Sequence, residues 1–243
     1  MEPNAVDPTE TLRIAYAPGV VPDKWLRRHR DRFPQLRLEA FPDDNPLVAV
    51  RSGRADMCLA REPLVDENSC ADLHRVELYD EAAGVAAEKE HPLAAFADGE
   101  VVSNAELADE MVLLPALAEG EPVDVAAVRD MLPVVATGAG IAFAPRPLLR
   151  QLAGRKVVHR EHLEGSTTRI VLLWPKDSDD DIRQDFVGTV RGRTANSARN
   201  AVPAKSSRVK KPASKQAAET RRRRGQGAKG SFGKTRGRRG KRR

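Results

Sequence analysis

The chain has few aromatic residues: Phe, Trp and Tyr make up 4% of its 243 positions. Its core must therefore rest on Val, Leu and Ala, within an apolar fraction of 40%. Cysteine is nearly absent. Cys58 and Cys70 lack metal-ligand spacing, which excludes a cysteine-built zinc module and a disulfide-stapled scaffold. Cys58 lies in the apolar run MCLA and reads as a core thiol. No apolar run approaches the roughly 20 residues of a membrane-crossing helix. The opening MEPNAVDPTET has neither the basic start nor the apolar stretch of a secretory leader. Together these absences predict a cytoplasmic protein without a membrane partner.

Signs of catalysis are as scarce. The five histidines are His29, His74, His91, His159 and His162. His29 falls on the apolar side of a helix, where a packed role is expected. His159 and His162 stand three apart in a strand and loop, a poor metal geometry. No Ser-His-Asp or Cys-His pattern has local support. Gly138 and Gly140 follow a helix and precede a strand, the reverse of a dinucleotide fingerprint. The expectation is no catalytic residue, no metal and no cofactor.

What is present is charge, unevenly placed. From Arg199 onward there are 18 Lys/Arg and one acid, Glu219; the residues before carry 23 Lys/Arg and 34 Asp/Glu. An acidic body of about −11 thus precedes a tail of about +17, and the pI of 9.5 describes the tail. Residues 196–243 cannot bury enough apolar surface to offset ordering and read as disordered, as do residues 1–10. Arg221, Arg222, Arg223 and Arg224, with Lys234, Arg236, Arg238 and Arg239, would attract nucleic acid in a salt-dependent, sequence-independent way. Without interleaved aromatics no base-stacking platform is expected. A solvated tail that contacts the acidic body is the alternative.

The body alternates strands and helices. Leu12–Tyr16 reads as a strand, Ala17-Pro18-Gly19 as a turn, and Pro22–Phe33 as a helix with Val21, Trp25, His29 and Phe33 on one face. Leu36–Phe41 is a second strand. A short helix begins at Pro46, with Leu47, Val48 and Val50 toward the core, and ends at Gly53. Asp56–Arg61 is a third strand. Two such units imply parallel pairing with right-handed crossovers. Further on, Arg75–Glu88 reads as two strands. A helix spans Val125–Thr137, kinked or divided by Pro133. Gly140–Ala144 is a buried strand, Pro147–Leu152 a short helix, and Val157–Arg160 and Arg169–Trp174 are strands. A last helix carries Ile182, Phe186, Val187 and Val190.

Four passages, in this order and spacing, resemble the effector-binding domain of LysR-type transcriptional regulators. They are LRIAYAPGV before an amphipathic helix, AVRSGRADMCLAREP at 49–63, KEHPLA at 89–94 and VVATGAGIAFAP at 134–145. RGRTANSAR at 191–199 adds a match to one subgroup. The resemblance covers about residues 11–195. It implies an α/β, two-lobed fold of the type 2 periplasmic-binding-protein kind, each lobe a small, mainly parallel sheet flanked by helices. Lobe I would be 11–80 plus 170–195 and lobe II 81–169, with a small effector between them. Such regulators carry an N-terminal winged helix-turn-helix. Only about ten polar residues precede the first strand here, so the expectation is a sensor domain without its own helix-turn-helix, working as a homodimer or through a partner regulator.

The expected ligand is a small, anionic metabolite. Backbone N–H groups near Ala17, Pro18, Gly19 and Val20, and at the helix start by Asn45, would hold its carboxylate. The first loop often supplies a hydroxyl in the family; Ala17-Pro18 supplies none. Arg61, at the carboxyl end of the third strand, would either pair with the ligand or bridge the lobes through Asp or Glu. Thr137 and Gly138 would donate from the facing lobe. Asp43 and Asp44 read as helix caps rather than ligand contacts. Two other readings stand beside this one: an enzyme acting on a small acid on the same fold, and a nucleic-acid-binding accessory working through the tail.

Overall fold

In a computed structural model of the chain, residues 11–64 and 70–192 are described. They belong to one compact unit, Met1–Ala201. The readings made for residues 1–10 and for the basic tail fall outside the described residues.

Ten strands and five α-helices form two mixed five-stranded sheets among the described residues. The first sheet has the order β2-β1-β3-β10-β4, with β1 Thr11–Tyr16, β2 Arg37–Pro42, β3 Met57–Glu62, β4 Leu73–Glu81 and β10 Thr168–Pro175. β1 runs parallel to β2 and β3, as two successive strand–helix–strand units require. β10 is antiparallel to both β3 and β4. The second sheet is β6-β9-β5-β8-β7, with β5 Ala83–Glu88, β6 Val101–Val102, β7 Val112–Leu114, β8 Ile141–Pro145 and β9 Val157–His162. Here too two neighbouring pairs are parallel and two antiparallel.

The chain crosses between sheets at two adjacent points. β4 ends at Glu81 and β5 begins at Ala83, with only Ala82 between them. β10 brings the chain back, and its first residue, Thr168, pairs with Glu81. Each sheet therefore forms its own lobe, and Glu81 and Thr168 sit together at the crossing.

The helices cover the sheets with their apolar faces. Leu26 and His29 are the buried residues of α1, Asp23–Arg32. Val21, placed on that face from its four-residue spacing, is 72% exposed. It precedes the helix, so the 3.6-residue period does not yet govern it. In α2, Pro46–Arg51, the buried set is Pro46, Ala49 and Val50, while Val48 faces solvent. Gly53 has a positive φ of 71° just beyond that helix, as a left-handed terminator requires. α3, Val125–Val135, runs through Pro133 as one element. Pro133 lies in its last turn, where a missing N–H removes a single bond near the end. α4, Arg146–Leu152, buries Leu148 and Leu149, and α5, Asp181–Val190, buries Phe186 and Val187. A large apolar cluster of the first lobe gathers Leu12, Ile14, Leu59, Ile170 and Leu172 around Trp174 and Phe186, with Tyr16, Trp25 and Phe33 packed against it.

Candidate functional site

The carboxyl ends of β1 and β3 open onto a cleft shared with the second lobe, where doubly wound sheets place ligands. The cavity holds about 400 Å³, within the roughly 300–1,000 Å³ range of small-molecule sites. One wall consists of Ala17, the segment Asp44–Leu47, Ala60–Arg61 and Pro63–Leu64; the other is Pro122–Ala126, the approach to α3 and its first turn.

Arg61 is the buried charge of this cleft. Its side chain is 4% exposed and that of its partner Glu81 is 0% exposed. Nε donates to Glu81 Oε2 at 2.6 Å, and Nη2 donates to Glu81 Oε1 at 3.2 Å and to the Pro18 carbonyl at 2.7 Å. The Thr168 hydroxyl donates to Glu81 Oε2 at 2.9 Å. One guanidinium thus ties the first loop to both crossing strands. Of the two roles open to Arg61, pairing with an internal carboxylate is realised. Among the described residues its Nη1 has no hydrogen-bond partner.

The first loop does not offer the N–H groups expected of it. Val20 N donates to the Ala17 carbonyl at 3.1 Å, closing a turn. The Gly19 N–H donates to the Gln151 side chain of α4. Pro18 presents a carbonyl to Arg61. Ala17 alone of these four residues lines the cavity. Gly19 has φ 92°, and a Cβ there would lie 2.7 Å from the Leu148 amide nitrogen. Glycine is thus what lets the loop pack against the second lobe.

Asn45 lines the cleft before α2, and its side chain makes no capping bond. Its N–H donates to Asp43 Oδ1 at 2.8 Å, so Asp43 serves the turn, as expected. Asp44 does not act as a cap. Both its oxygens accept from Arg129 of α3 at 2.7 Å, a bidentate pair across the lobes. The Arg129 guanidinium holds the Asp44 carboxyl below its ordinary value.

Thr137 and Gly138 do not face the cleft. They follow the far end of α3, whose first residue, Val125, lines the cavity. At 1.5 Å per residue this helix carries them roughly 16 Å away. The Thr137 hydroxyl donates to Val134 O, and Gly138 packs beside Glu88. The opposite end of the same helix supplies the facing wall. Sequence reading missed Asp124, Val125, Ala126 and Arg129. The available signal was Asp124 itself, a capping residue directly before an apolar-periodic run; its Oδ1 accepts from Ala127 N at 2.9 Å.

Away from this cavity, His29, Cys58, His159 and His162 are shifted by burial. Burial lowers the His29 pKa to about 4, with Arg32 adding to the effect. Burial raises the Cys58 thiol, which keeps it protonated. Burial also lowers His159 and His162.

Two lobes, two crossing strands and a cleft between them define a ligand-sensing domain of the periplasmic-binding-protein kind. The family model for the LysR substrate binding domain matches residues 6–195, and the chain belongs to that family, the sensor domains of LysR-type transcriptional regulators rather than enzymes. Among solved structures it is similar to the effector binding domain of a BenM variant, with 20% identity over 75% of this chain and 93% of that one and a TM-score of 0.55. It is equally similar to the BenM domain with its effector benzoate, at 20% identity over 75% and 91% and a TM-score of 0.55. The reduced OxyR regulatory domain from Pseudomonas aeruginosa shares 18% identity over 76% and 98%, with a TM-score of 0.51. No curated protein sequence matches the chain. Among the described residues, no helix is long and apolar enough to cross a membrane.

Proposed function

We propose that this protein senses a small carboxylic acid in the cleft between its lobes and serves a regulatory role in transcription. The observation that carries this reading is Arg61: a buried guanidinium lining a cavity of small-molecule size, with Nη1 uncommitted among the described residues. The first N–H groups of α3 have no partner within the helix and carry the positive end of its dipole. Asp124 already occupies that end, its Oδ1 taking the Ala127 N–H at 2.9 Å, so Arg61 is the anion-favouring group of the cleft. Pro46, Leu47, Pro122 and Val123 would contact the apolar part of the ligand. Because Arg61 also holds the Pro18 loop and, through Glu81, both crossing strands, a ligand drawing on Nη1 bears on the hinge between the lobes.

A thermal-shift screen of small carboxylates on the full chain tests this. At least one acid at millimolar concentration should raise Tm. Ala126→Trp, at an exposed position on the cleft wall, should fill the cavity and remove the shift while the protein stays folded. A screen without a single stabilising acid, or shifts untouched by the tryptophan, would overturn the reading.

A second contact has its own support in the charge distribution. We propose that the segment from Arg199 to Arg243, with 18 Lys/Arg and one acid, adds salt-dependent affinity for nucleic acid. Truncation at residue 198 should abolish DNA binding at low salt; undiminished binding would exclude this role.

A further inference from the structure

We propose that the ligand of this cleft is zwitterionic, carrying a cationic group alongside its carboxylate, as a free amino acid does. This rests on the preceding proposal that the cleft holds a small acid. It adds the requirement that the walls place on the other end of that acid.

Charge balance across the cleft sets this requirement. Among the described residues, three ionisable side chains line the cavity: Asp44, Arg61 and Asp124. Asp44 is neutralised by Arg129 through two bonds of 2.7 Å. Arg61 is neutralised by Glu81 through its bonds of 2.6 and 3.2 Å. Asp124 has no cationic partner among the described residues. Its Oδ1 takes the Ala127 N–H at 2.9 Å, and Oδ2 has no hydrogen-bond partner there. The walls with their partners therefore carry two positive and three negative groups. A plain carboxylate would enter a cleft that is already net negative.

A ligand with both charges meets these groups in their correct sense. Its carboxylate accepts from Nη1 of Arg61, which makes no hydrogen bond among the described residues and belongs to a residue lining the cavity. Its ammonium donates to Oδ2 of Asp124 on the facing wall, and the Asn45 side chain, free of capping duty, is available to either end. Net charge is then conserved on binding, and neither Arg61 nor Asp124 is desolvated against a like charge. The ligand also bridges the lobes, since Arg61 belongs to the first sheet and Asp124 to the entry of α3.

The test uses a panel of α-amino acids that differ in side-chain size and charge. Each is paired with the carboxylic acid and the amine that lack one charged group, and binding to the full chain is followed by calorimetry. At least one amino acid should bind tenfold or more tightly than both of its counterparts. Asp124→Asn keeps an oxygen for capping α3 and removes the charge. It should leave the unfolding midpoint of the free protein in place, weaken the amino acid about tenfold and, by removing the unbalanced negative charge, tighten rather than weaken the carboxylic acid. A carboxylic acid that binds as tightly as its amino acid would overturn this inference while sparing the sensor reading. Amino-acid binding that Asp124→Asn does not weaken would also overturn it. If none of the panel binds and Ala126→Trp alters nothing, both proposals fail.

Discussion

Arg61 and Glu81 form a buried ion pair where the two lobes meet, with Nε to Oε2 at 2.6 Å. The pair is locked on each side, by the Pro18 carbonyl and by the Thr168 hydroxyl. Removing one member leaves the other charged and without water. Glu81→Ala should therefore destabilise the fold by about 3–5 kcal/mol, read by urea denaturation. Replacing both, as Arg61→Met with Glu81→Leu, should cost distinctly less, because no charge is stranded. Equal losses in the single and double variants would show that packing, not charge, dominates this site.

Asp44 and Arg129 join the lobes at the cleft mouth with good geometry but in solvent, their side chains 48% and 46% exposed. High dielectric and salt weaken such pairs. Asp44→Asn and Arg129→Gln should each lower Tm slightly, with a coupling visible in a double-mutant cycle at low salt. That coupling should vanish near 1 M salt, where the screening length falls to about 3 Å. A coupling that persists there would mean the pair is shielded from solvent.

The order of elements was legible because period and punctuation are local. Leu12–Tyr16 alternates, Pro22 and Pro46 open helices, Gly53 closes one, and β1, α1, α2 and β3 form within a residue or two of those marks. Arg61 was legible as a cleft residue because the carboxyl end of a central strand is a topological position. What failed was direction and partnership. Whether α3 offers its start or its end to the cleft depends on how the second sheet sits against the first, which pairs residues as distant as Asp44 and Arg129. The same holds for Gly19, whose N–H is taken by Gln151 from 132 residues away. Mixed pairing was equally hidden: nothing local in Thr168–Pro175 shows that β10 runs antiparallel to β3 and β4.

His29 gives the fold a defined acid sensitivity. Its ring is fully buried between Phe33 and Phe186, with Nδ1 3.1 Å from the Thr189 hydroxyl. Its folded pKa of about 4 lies below the unfolded value near 6.5. The unfolded chain thus binds the proton first, and stability falls as pH drops from about 6.5 toward 4. From pH 7 to pH 5 the loss from this group should be about 2 kcal/mol. Nearby Arg32 opposes the protonated ring and Asp185 on α5 shares that environment, so the wild-type slope contains more than His29. Comparing wild type with His29→Leu in urea at both pH values isolates its share. An unchanged pH dependence in His29→Leu would exclude the assignment.

Gly19 should be the least replaceable residue of the first loop. Its φ of 92° disfavours any side chain, and a Cβ would stand 2.7 Å from Leu148 N and 2.9 Å from the Pro147 carbonyl carbon. These are backbone atoms of α4, so no side-chain rotation relieves the clash. Gly19→Ala should push the loop from the second lobe and break the bond to Gln151. It should also release the Pro18 carbonyl from Arg61. Strain at such a position costs on the order of 1–3 kcal/mol, which should appear as a lower Tm. Gln151→Leu, by contrast, removes only the bond to the Gly19 N–H and should cost less. Amide exchange would separate the two: Gly19→Ala should expose amides of both the loop and the start of α4, and Gln151→Leu the loop alone. A Gly19→Ala protein as stable as wild type would refute the close approach of the loop to α4.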